Sequence, residues 1–269
     1  MIKKISLLLL IFTAVNLGIT LAQQSADELA KKLANPIASL ISVPFQFNSQ
    51  FNINSSDYHG NGYKMLLNIQ PVIPVPLGKK INLINRVIIP VSTQKDVTAY
   101  DQTESGLGDI IYTAFFSPTV SKIIWGIGPA FSIPTATNDA LGTKKLSIGP
   151  SFVILGQPGK WTFGVLCNQL WSVAGDKDRQ EINSAFFQPF FSYGFTGGLT
   201  VGISSENAYA WNSKQLVSGL TAFNMNQIVK IAGSQMASIQ LSPVIYYANA
   251  NVKKPEWGVR TVITLLFPK

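Results

Sequence analysis

The sequence predicts an all-β protein, an antiparallel transmembrane β-barrel of about twelve strands with a short N-terminal helix. Three observations indicate this fold class. Apolar and polar residues alternate over segments of about ten residues or more, the pattern of long strands with two different faces. The connections between these segments alternate between short and long. The charged fraction is 13%, about half of the ~25% that is usual in soluble domains.

The composition of the 269-residue chain excludes two other classes of protein. Mean hydropathy is only +0.23, and beyond the signal-like start no apolar run approaches the ~18 residues of a membrane-spanning helix. Uncharged polar residues and aromatic residues replace the missing charge, so the chain also lacks the composition of a disordered protein. A β-structure remains, either soluble or in a membrane.

The N-terminus has the pattern of a secretory signal peptide over residues 1-22. Lys3 and Lys4 precede an apolar stretch, and Thr20 and Ala22 place small residues before a cleavage site. A single anchoring helix is the alternative, although small and polar residues interrupt the apolar run. The lone cysteine, Cys167, cannot form an internal disulfide, and a secreted chain of this size without disulfides is typical of the bacterial envelope.

Residues 23-41 are predicted to form an N-terminal amphipathic helix, and residues 42-269 the barrel. Ser25 and Glu28 make a capping box, and Pro36 ends or kinks the helix. Two placements are open for this helix: it plugs the lumen, or it lies in the periplasm beside the barrel. The plug is favoured because the first strand follows the helix at once.

The predicted strands are long enough to cross a membrane at a tilt. In the last of them, Trp257, Ile263 and Phe267 occupy one face, and Arg260 and Thr264 the other. The twelve segments span residues 42–54, 63–75, 80–91, 106–117, 122–134, 144–155, 160–171, 183–195, 198–206, 214–231, 236–248 and 257–267.

Charge is sorted between the two kinds of connection. Almost all acidic residues fall in the longer connections or in the N-terminal helix, whereas the short turns carry lysines such as Lys79 and Lys160. Asp109 is the one acid in the interior of a predicted strand, and Glu206 lies at the edge of a longer loop. A secreted double-sheet domain, the soluble alternative, has no reason to sort charge in this way. Short turns at one end and longer loops at the other are typical of outer-membrane barrels.

Aromatic residues near the predicted strand ends favour two girdles at the membrane interfaces. Ordinary packing in a core is the alternative for these side chains. The girdle candidates are Trp125, Trp161, Trp171, Trp211, Trp257, Tyr63, Tyr193, Tyr246 and Phe267.

Several stretches resemble one bacterial family. They include Leu67–Pro74, Gly106–Asp109, Trp125–Pro129, Pro134–Gly142 and Leu265–Lys269. With them the chain resembles bacterial outer-membrane transporter proteins related to the "MetA-pathway of phenol degradation" family, some of which are mislabelled neuromedin U. The resemblance implies an outer-membrane β-barrel in the bacterial outer membrane. It implies no catalytic or ligand-binding residues.

No residue pattern predicts an enzyme, a metal site or a cofactor. The one histidine, His59, lies in a predicted outer loop near Ser55 and Ser56. A membrane lipid hydrolase would need histidine and serine side by side, so a solvated loop histidine is the favoured interpretation. One histidine and one isolated cysteine do not make a zinc site of the usual type. Dispersed lysines argue against nucleic acid as a partner.

The inward face of the barrel is the best functional candidate. By strand parity it is rich in amides and poor in charge, which suits small polar or neutral solutes better than a strong ion filter. Structural filling of a closed lumen by the same amides is the alternative. We expect Arg86, Asp109 and Arg260 to form a buried ionic network. The lumen-facing candidates are Asn68, Gln70, Arg86, Asp109, Asn168, Gln188, Gln240 and Arg260.

The sequence therefore predicts an outer-membrane channel that passes small solutes by diffusion through a polar lumen. The alternative is a non-conducting envelope protein whose acidic loops bind ions, lipid or other partners. The expected partners are outer-membrane lipid and a small-molecule solute, while the oligomeric state stays open.

Overall fold

The computed structural model describes residues 20–53, 62–121, 123–231, 235–249 and 254–268. Within these residues there is one helix, α1 (Thr20–Leu33), and strands that are nearly all long. The strands are β1 (Ile41–Ile53), β2 (Gly62–Ile69), β3 (Val72–Leu77), β4 (Ile81–Lys95), β5 (Thr103–Leu107), β6 (Ile110–Pro118), β7 (Ile124–Ile133), β8 (Lys145–Gly156), β9 (Trp161–Gly175), β10 (Asn183–Gly194), β11 (Leu199–Ala210), β12 (Gln215–Lys230), β13 (Met236–Asn249) and β14 (Trp257–Phe267).

The strands form a closed antiparallel barrel of twelve, which confirms the predicted fold class. Each strand pairs with its neighbours in the chain, and β14 closes the barrel on β1, from Ile41 opposite Phe267 to Phe51 opposite Trp257. Two barrel strands are interrupted. β2 and β3 both pair with β4 on one side of it, and β5 and β6 both pair with it on the other.

Most predicted strands match the observed ones, and the largest difference lies at the hairpin of β4 and β5. Residues 92–105 were expected to form a loop because they are polar. Instead, β4 continues to Lys95, and its end pairs with β5 and also with the start of β2. Backbone pairing to two neighbours therefore extends the wall beyond the apolar part of the strand, where side-chain polarity alone predicts a loop.

Side-chain parity follows the predicted two faces. Along β14, Trp257, Ile263 and Phe267 are exposed on the outer surface, while Arg260 and Thr264 are buried on the inner one. The outer surface carries large apolar side chains on every part of the barrel, as a lipid-facing surface requires. The inner surface carries many small hydroxyl side chains that are buried, such as those of Ser147, Ser151, Ser238 and Ser242.

The outward aromatic residues cluster at both ends of the barrel. Trp161 packs against Tyr193 with ring centroids 4.5 Å apart at the short-turn end. Phe51 stacks on Trp257 at 4.4 Å at the other end. All five tryptophans are exposed, as the girdle prediction requires. Tyr246 is an exception, because it is buried on the inner face, where parity along β13 directs it.

The acidic residues are less strictly sorted than predicted. Asp109 lies between β5 and β6 and not inside a strand. Glu104 lies in β5 and Glu206 in β11, and both are partly or fully buried. The prediction failed because residues near the predicted strand ends were assigned to loops, whereas pairing carries both strands further.

Two predictions concern residues outside the described part of the chain. The signal peptide 1-22 lies almost wholly there, and so does His59. Among the described residues, no helix is long and apolar enough to cross a membrane.

Candidate functional site: the barrel lumen

The short-turn end of the barrel holds the N-terminal segment, which we define as residues 26–40. Helix α1 ends at Leu33, earlier than the predicted 41, because Asn35 and Pro36 stop it: the Asn35 side chain accepts a hydrogen bond from the backbone N–H of Ile37 at 3.0 Å. Such a side-chain contact competes with helix continuation. The chain therefore turns into the lumen before β1 begins.

Hydrogen bonds tie α1 to two short turns. The Asp27 carboxylate accepts a bond from the backbone N–H of Gly198 at 2.7 Å. The Lys31 ammonium donates to the carbonyl of Gly159 at 3.0 Å, and the Gln157 amide donates to the carbonyl of Lys31 at 2.8 Å. The helix therefore lies across the mouth of the barrel at this end.

Apolar contacts complete this closure. Leu29, Ala30 and Leu40 pack on Ile228 and Leu266, which are inward residues of β12 and β14. Deeper in the lumen, Ile37 is buried in a cluster whose other buried members come from four strands, β4, β6, β8 and β9. Its buried neighbours in that cluster are Ile84, Phe115, Val153, Leu155 and Leu166.

A cavity of about 280 Å³ lies next to the N-terminal segment inside the barrel. Four predicted lumen residues line it: Gln70, Arg86, Gln188 and Gln240. Apolar side chains also contribute, among them Leu166 and Phe190. The lumen is therefore amphipathic in this region. The sequence had predicted a lining that is uniformly rich in amides, and this part of the prediction was wrong.

The wall formed by β12 and β13 has a connected polar network. Gln240 donates to Asn224 at 3.1 Å and to Ser242 at 2.9 Å. Ser242 donates to Asn224 at 2.8 Å, and Ser238 donates to Asn226. These amides satisfy one another, so on this side of the cavity they stiffen the wall.

Arg260 has a different partner from the one predicted. Its guanidinium makes two bonds to the Glu206 carboxylate, at 2.6 and 3.1 Å, and donates to Asn48 at 2.7 Å. Arg260 lies on β14 and Glu206 on β11, so the pair bridges the inner face across the two strands between them. Among the described residues, neither Arg86 nor Asp109 is joined to this pair. The predicted network of Arg86, Asp109 and Arg260 is therefore wrong.

Asp109 holds a loop and does not line the cavity. Its carboxylate accepts bonds from the backbone N–H and the hydroxyl of Thr143, both at 2.7 Å, and from the backbone N–H of Ala136 at 3.2 Å. The Gly108–Asp109 break between β5 and β6 aims the carboxylate at the 135–143 loop.

The two remaining candidates lie on the inner wall away from the cavity. Asn68 is opposite Gln46 in the pairing of β1 and β2. Asn168 is opposite Ser151 in the pairing of β8 and β9. Their parity is as predicted, and neither lines the cavity.

Sequence reasoning missed the apolar side of the lumen. Ile84 and Phe115 point inward from the two segments in which both faces are apolar, so parity could not separate the faces there. The only available signal was that both faces of these two segments are apolar, because an apolar inner face requires an apolar partner inside the barrel. The N-terminal segment supplies that partner through Ile37.

The described part of the chain builds no metal cluster into this lumen. Among the described residues, no group of three or more histidine, cysteine, aspartate or glutamate side chains could hold a metal ion. Cys167 is partly buried and lies on the outward parity of β9, opposite Phe152.

One ion pair near the long-loop end predicts a pH effect. The Lys145 ammonium donates to Glu181 at 2.6 Å, and this bond, helped by the Ser172 hydroxyl, holds the pKa of the Glu181 carboxyl below its usual 4.5. A lowered pKa stabilises the fold above the unfolded pKa, and that stabilisation is lost as pH falls through the folded pKa. Lys145 is only 3% exposed, so protonation of Glu181 leaves its charge unpaired.

We therefore expect the 176–182 loop to lose protection from hydrogen exchange as the pH falls from about 6 to about 3. In Glu181→Gln, the loop should show this low protection from hydrogen exchange over the whole pH range. Asp178→Asn, which removes an exposed carboxylate from the same loop, should behave as the wild type does. Equal pH profiles for the wild type and Glu181→Gln would contradict the role of this pair.

Comparisons with known proteins agree with the barrel fold. No protein-family model matches the chain, and no curated protein does. Among solved structures it is similar to the COG4313 outer membrane channel from Pseudomonas putida F1, with a TM-score of 0.67 and 14% identity over 87% of this chain and 97% of that chain. It also matches outer membrane phospholipase A from Escherichia coli, with a TM-score of 0.48 and 10% identity over 90% and 98% of the two chains.

A third match is to Pseudomonas aeruginosa OccK7 (OpdD), with a TM-score of 0.35 and 7% identity over 85% and 99% of the two chains. The first likeness shows that this chain shares the fold of an outer-membrane channel. The family resemblance seen in the sequence motifs stays a prediction.

Proposed function

We propose that the protein is a channel of the bacterial outer membrane that passes small solutes, and that the N-terminal segment gates it. The observation that carries this proposal is the 280 Å³ amphipathic cavity inside a closed barrel, bounded at one end by a segment that belongs to no strand. A barrel with only a structural role would not need an internal cavity next to a segment that can leave the lumen.

The outer surface supports a position in the membrane. Its exposed side chains are mostly large and apolar, and outward tryptophans lie at the ends of strands. In barrels of this kind the short turns face the periplasm. The N-terminal segment therefore closes the periplasmic end, and outer-membrane lipid is the partner of the outer face.

The gate acts by release of the segment. Three hydrogen bonds tie α1 to the short turns, and a fourth joins the Asn82 amide of β4 to the Ser39 hydroxyl at 2.8 Å. The other contacts of the closure are apolar. The segment takes no part in the pairing of strands. The barrel can therefore keep all of its backbone hydrogen bonds between strands while the segment leaves. Solutes then diffuse through the lumen past the cavity.

A reversible disulfide tests the gate. A Cβ atom at Gly198 would lie 3.0 Å from the Cβ of Ala26. Disulfides join Cβ atoms that are about 3.5–4.5 Å apart, so a small outward shift of the helix brings the two positions within disulfide range. We expect Ala26→Cys with Gly198→Cys, in a Cys167→Ser background, to block solute entry into liposomes when oxidised. Reduction should restore the flux of glycerol and small sugars at least about tenfold.

Each single cysteine variant is the matched control, since Gly198→Cys alone carries the same backbone strain at a φ of +77°. A heat-dependent shift of electrophoretic mobility reports that the barrel is folded. If folded barrels pass no solute after reduction, the channel proposal fails, and the non-conducting envelope protein with binding loops takes its place.

A further inference from the structure

Arg86 differs from the other inward-facing cations of the barrel wall. Arg260 pairs with Glu206, Lys145 pairs with Glu181, and Lys64 interacts with the charge of Glu104. Arg86 points into the cavity from β4, and among the described residues no carboxylate or hydrogen-bond acceptor contacts its guanidinium.

The cavity offers Arg86 no compensating charge. No aspartate or glutamate is found among the described residues that line it, and its other cation, Lys32, pairs with Glu28 at 2.7 Å. A guanidinium that is half-buried without a partner is costly, and binding an anion relieves this cost. The planar fork of arginine is suited to two parallel bonds to a carboxylate.

Two amide side chains that line the same cavity as Arg86 are also available to bind a ligand. The side chains of Gln70 and Gln188 line the cavity and make no hydrogen bond to a described residue. Gln70 is on the same side of the wall as Arg86, because Val72, the next inward position after Gln70, lies opposite Arg86 in the pairing of β3 and β4. Gln188 lies on β10, across the lumen.

The rest of the lining sets the chemistry of the ligand body. Val72, Leu166, Phe190 and Val262 present apolar surface to the same cavity. A single unpaired cation with apolar walls suits a singly charged acid with an apolar body better than a phosphate, which carries more charge and has no apolar part.

We propose that Arg86 forms an anion-binding site that takes the carboxylate of a small, apolar monocarboxylic acid. Gln70 and Gln188 donate further hydrogen bonds to it, and the apolar wall contacts its body. The idea that this acid is a transported solute rests on the proposed channel function; the binding site itself does not.

Calorimetry with the barrel in nanodiscs of zwitterionic lipid tests the site, with empty nanodiscs as the blank. Hexanoate is the probe, and hexanamide is its neutral analogue. We expect hexanoate to bind the wild type at least about tenfold more tightly than hexanamide does, since a hydrogen bond between charged groups is stronger than a neutral one. Arg86→Gln should abolish this preference, and Arg86→Lys should keep part of it.

Lys64→Gln is the matched control, because it also removes one inward cation and Lys64 does not line the cavity. It should leave the preference for hexanoate intact. The site is refuted if Arg86→Gln binds hexanoate as the wild type does, if Lys64→Gln weakens binding equally, or if the wild type does not prefer hexanoate. The mobility shift on heating confirms that each variant is folded.

Binding and transport can fail separately in this design. Calorimetry needs no flux, so a protein that binds hexanoate through Arg86 but passes no solute into liposomes keeps the site and overturns the channel. A protein that passes glycerol but shows no Arg86-dependent binding keeps the channel and overturns the site.

Discussion

Replacement of Ile37 by aspartate is expected to raise solute flux through the barrel at least about tenfold. Ile37 is 4% exposed and packs against buried inward residues of four strands. Its burial contributes roughly 1.5–3 kcal/mol to closure, and an ionised carboxylate in its place would be buried without a partner at a cost of several kcal/mol. Expulsion of the segment relieves that cost and leaves every strand paired.

Flux of glycerol and small sugars into liposomes measures this opening, with Ile37→Val as the conservative control that should stay closed. A second variant approaches the same contact from the wall. A Cβ at Gly126 would lie 3.2 Å from the Cδ1 atom of Ile37, so Gly126→Leu should displace the segment without changing it. Unchanged flux through folded barrels of both variants would show that the segment does not gate the lumen.

Glu206→Gln is expected to destabilise the barrel by about 3 kcal/mol, the lower end of the cost of breaking a buried ion pair. The side chains of Arg260 and Glu206 are only 6% and 22% exposed. Loss of the carboxylate charge leaves the Arg260 guanidinium in the wall with neutral acceptors only. The lower end of the range applies because Glu206 keeps some exposure, which screens the pair.

Urea unfolding in lipid vesicles, followed by the heat-dependent mobility shift, measures this loss. Glu256→Gln is the matched control: it removes an exposed carboxylate that accepts a bond from Asn52 at 2.8 Å and should cost little. The double variant Glu206→Gln with Arg260→Met should recover part of the loss, because it removes both charges. A Glu206→Gln barrel as stable as the wild type would show that the pair contributes nothing to the fold.

The barrel could be predicted because its two faces differ in chemistry along each strand. Period-two alternation needs no knowledge of the partner strand, and β14 illustrates this, since its whole inner face was assigned correctly. Errors arose in strands whose two faces do not differ in polarity. In β4 and β6, Ile84 and Phe115 point inward among apolar neighbours, so the apolar layer of the lumen was not expected.

The candidate site could be predicted in part. Parity placed Gln70, Arg86, Gln188 and Gln240 on the inner wall, and all four line the cavity. The predicted ionic network was wrong because strand parity shows which face a side chain occupies, but it does not show how far along the barrel axis the side chain lies. Arg260 meets Glu206 across two intervening strands, and Asp109 lies outside the strands, where it anchors a loop.

Alternation, turn lengths and the low content of charge by themselves determined a membrane-type barrel with opposed faces. These properties are local, because each strand must present apolar side chains outward wherever it pairs. Only the tertiary structure decided which inward charges meet, where the N-terminal segment ends and that Arg86 has no described partner. These properties depend on closure, which brings residues far apart in the chain to the same depth of one lumen, and strand periodicity carries no information about that depth.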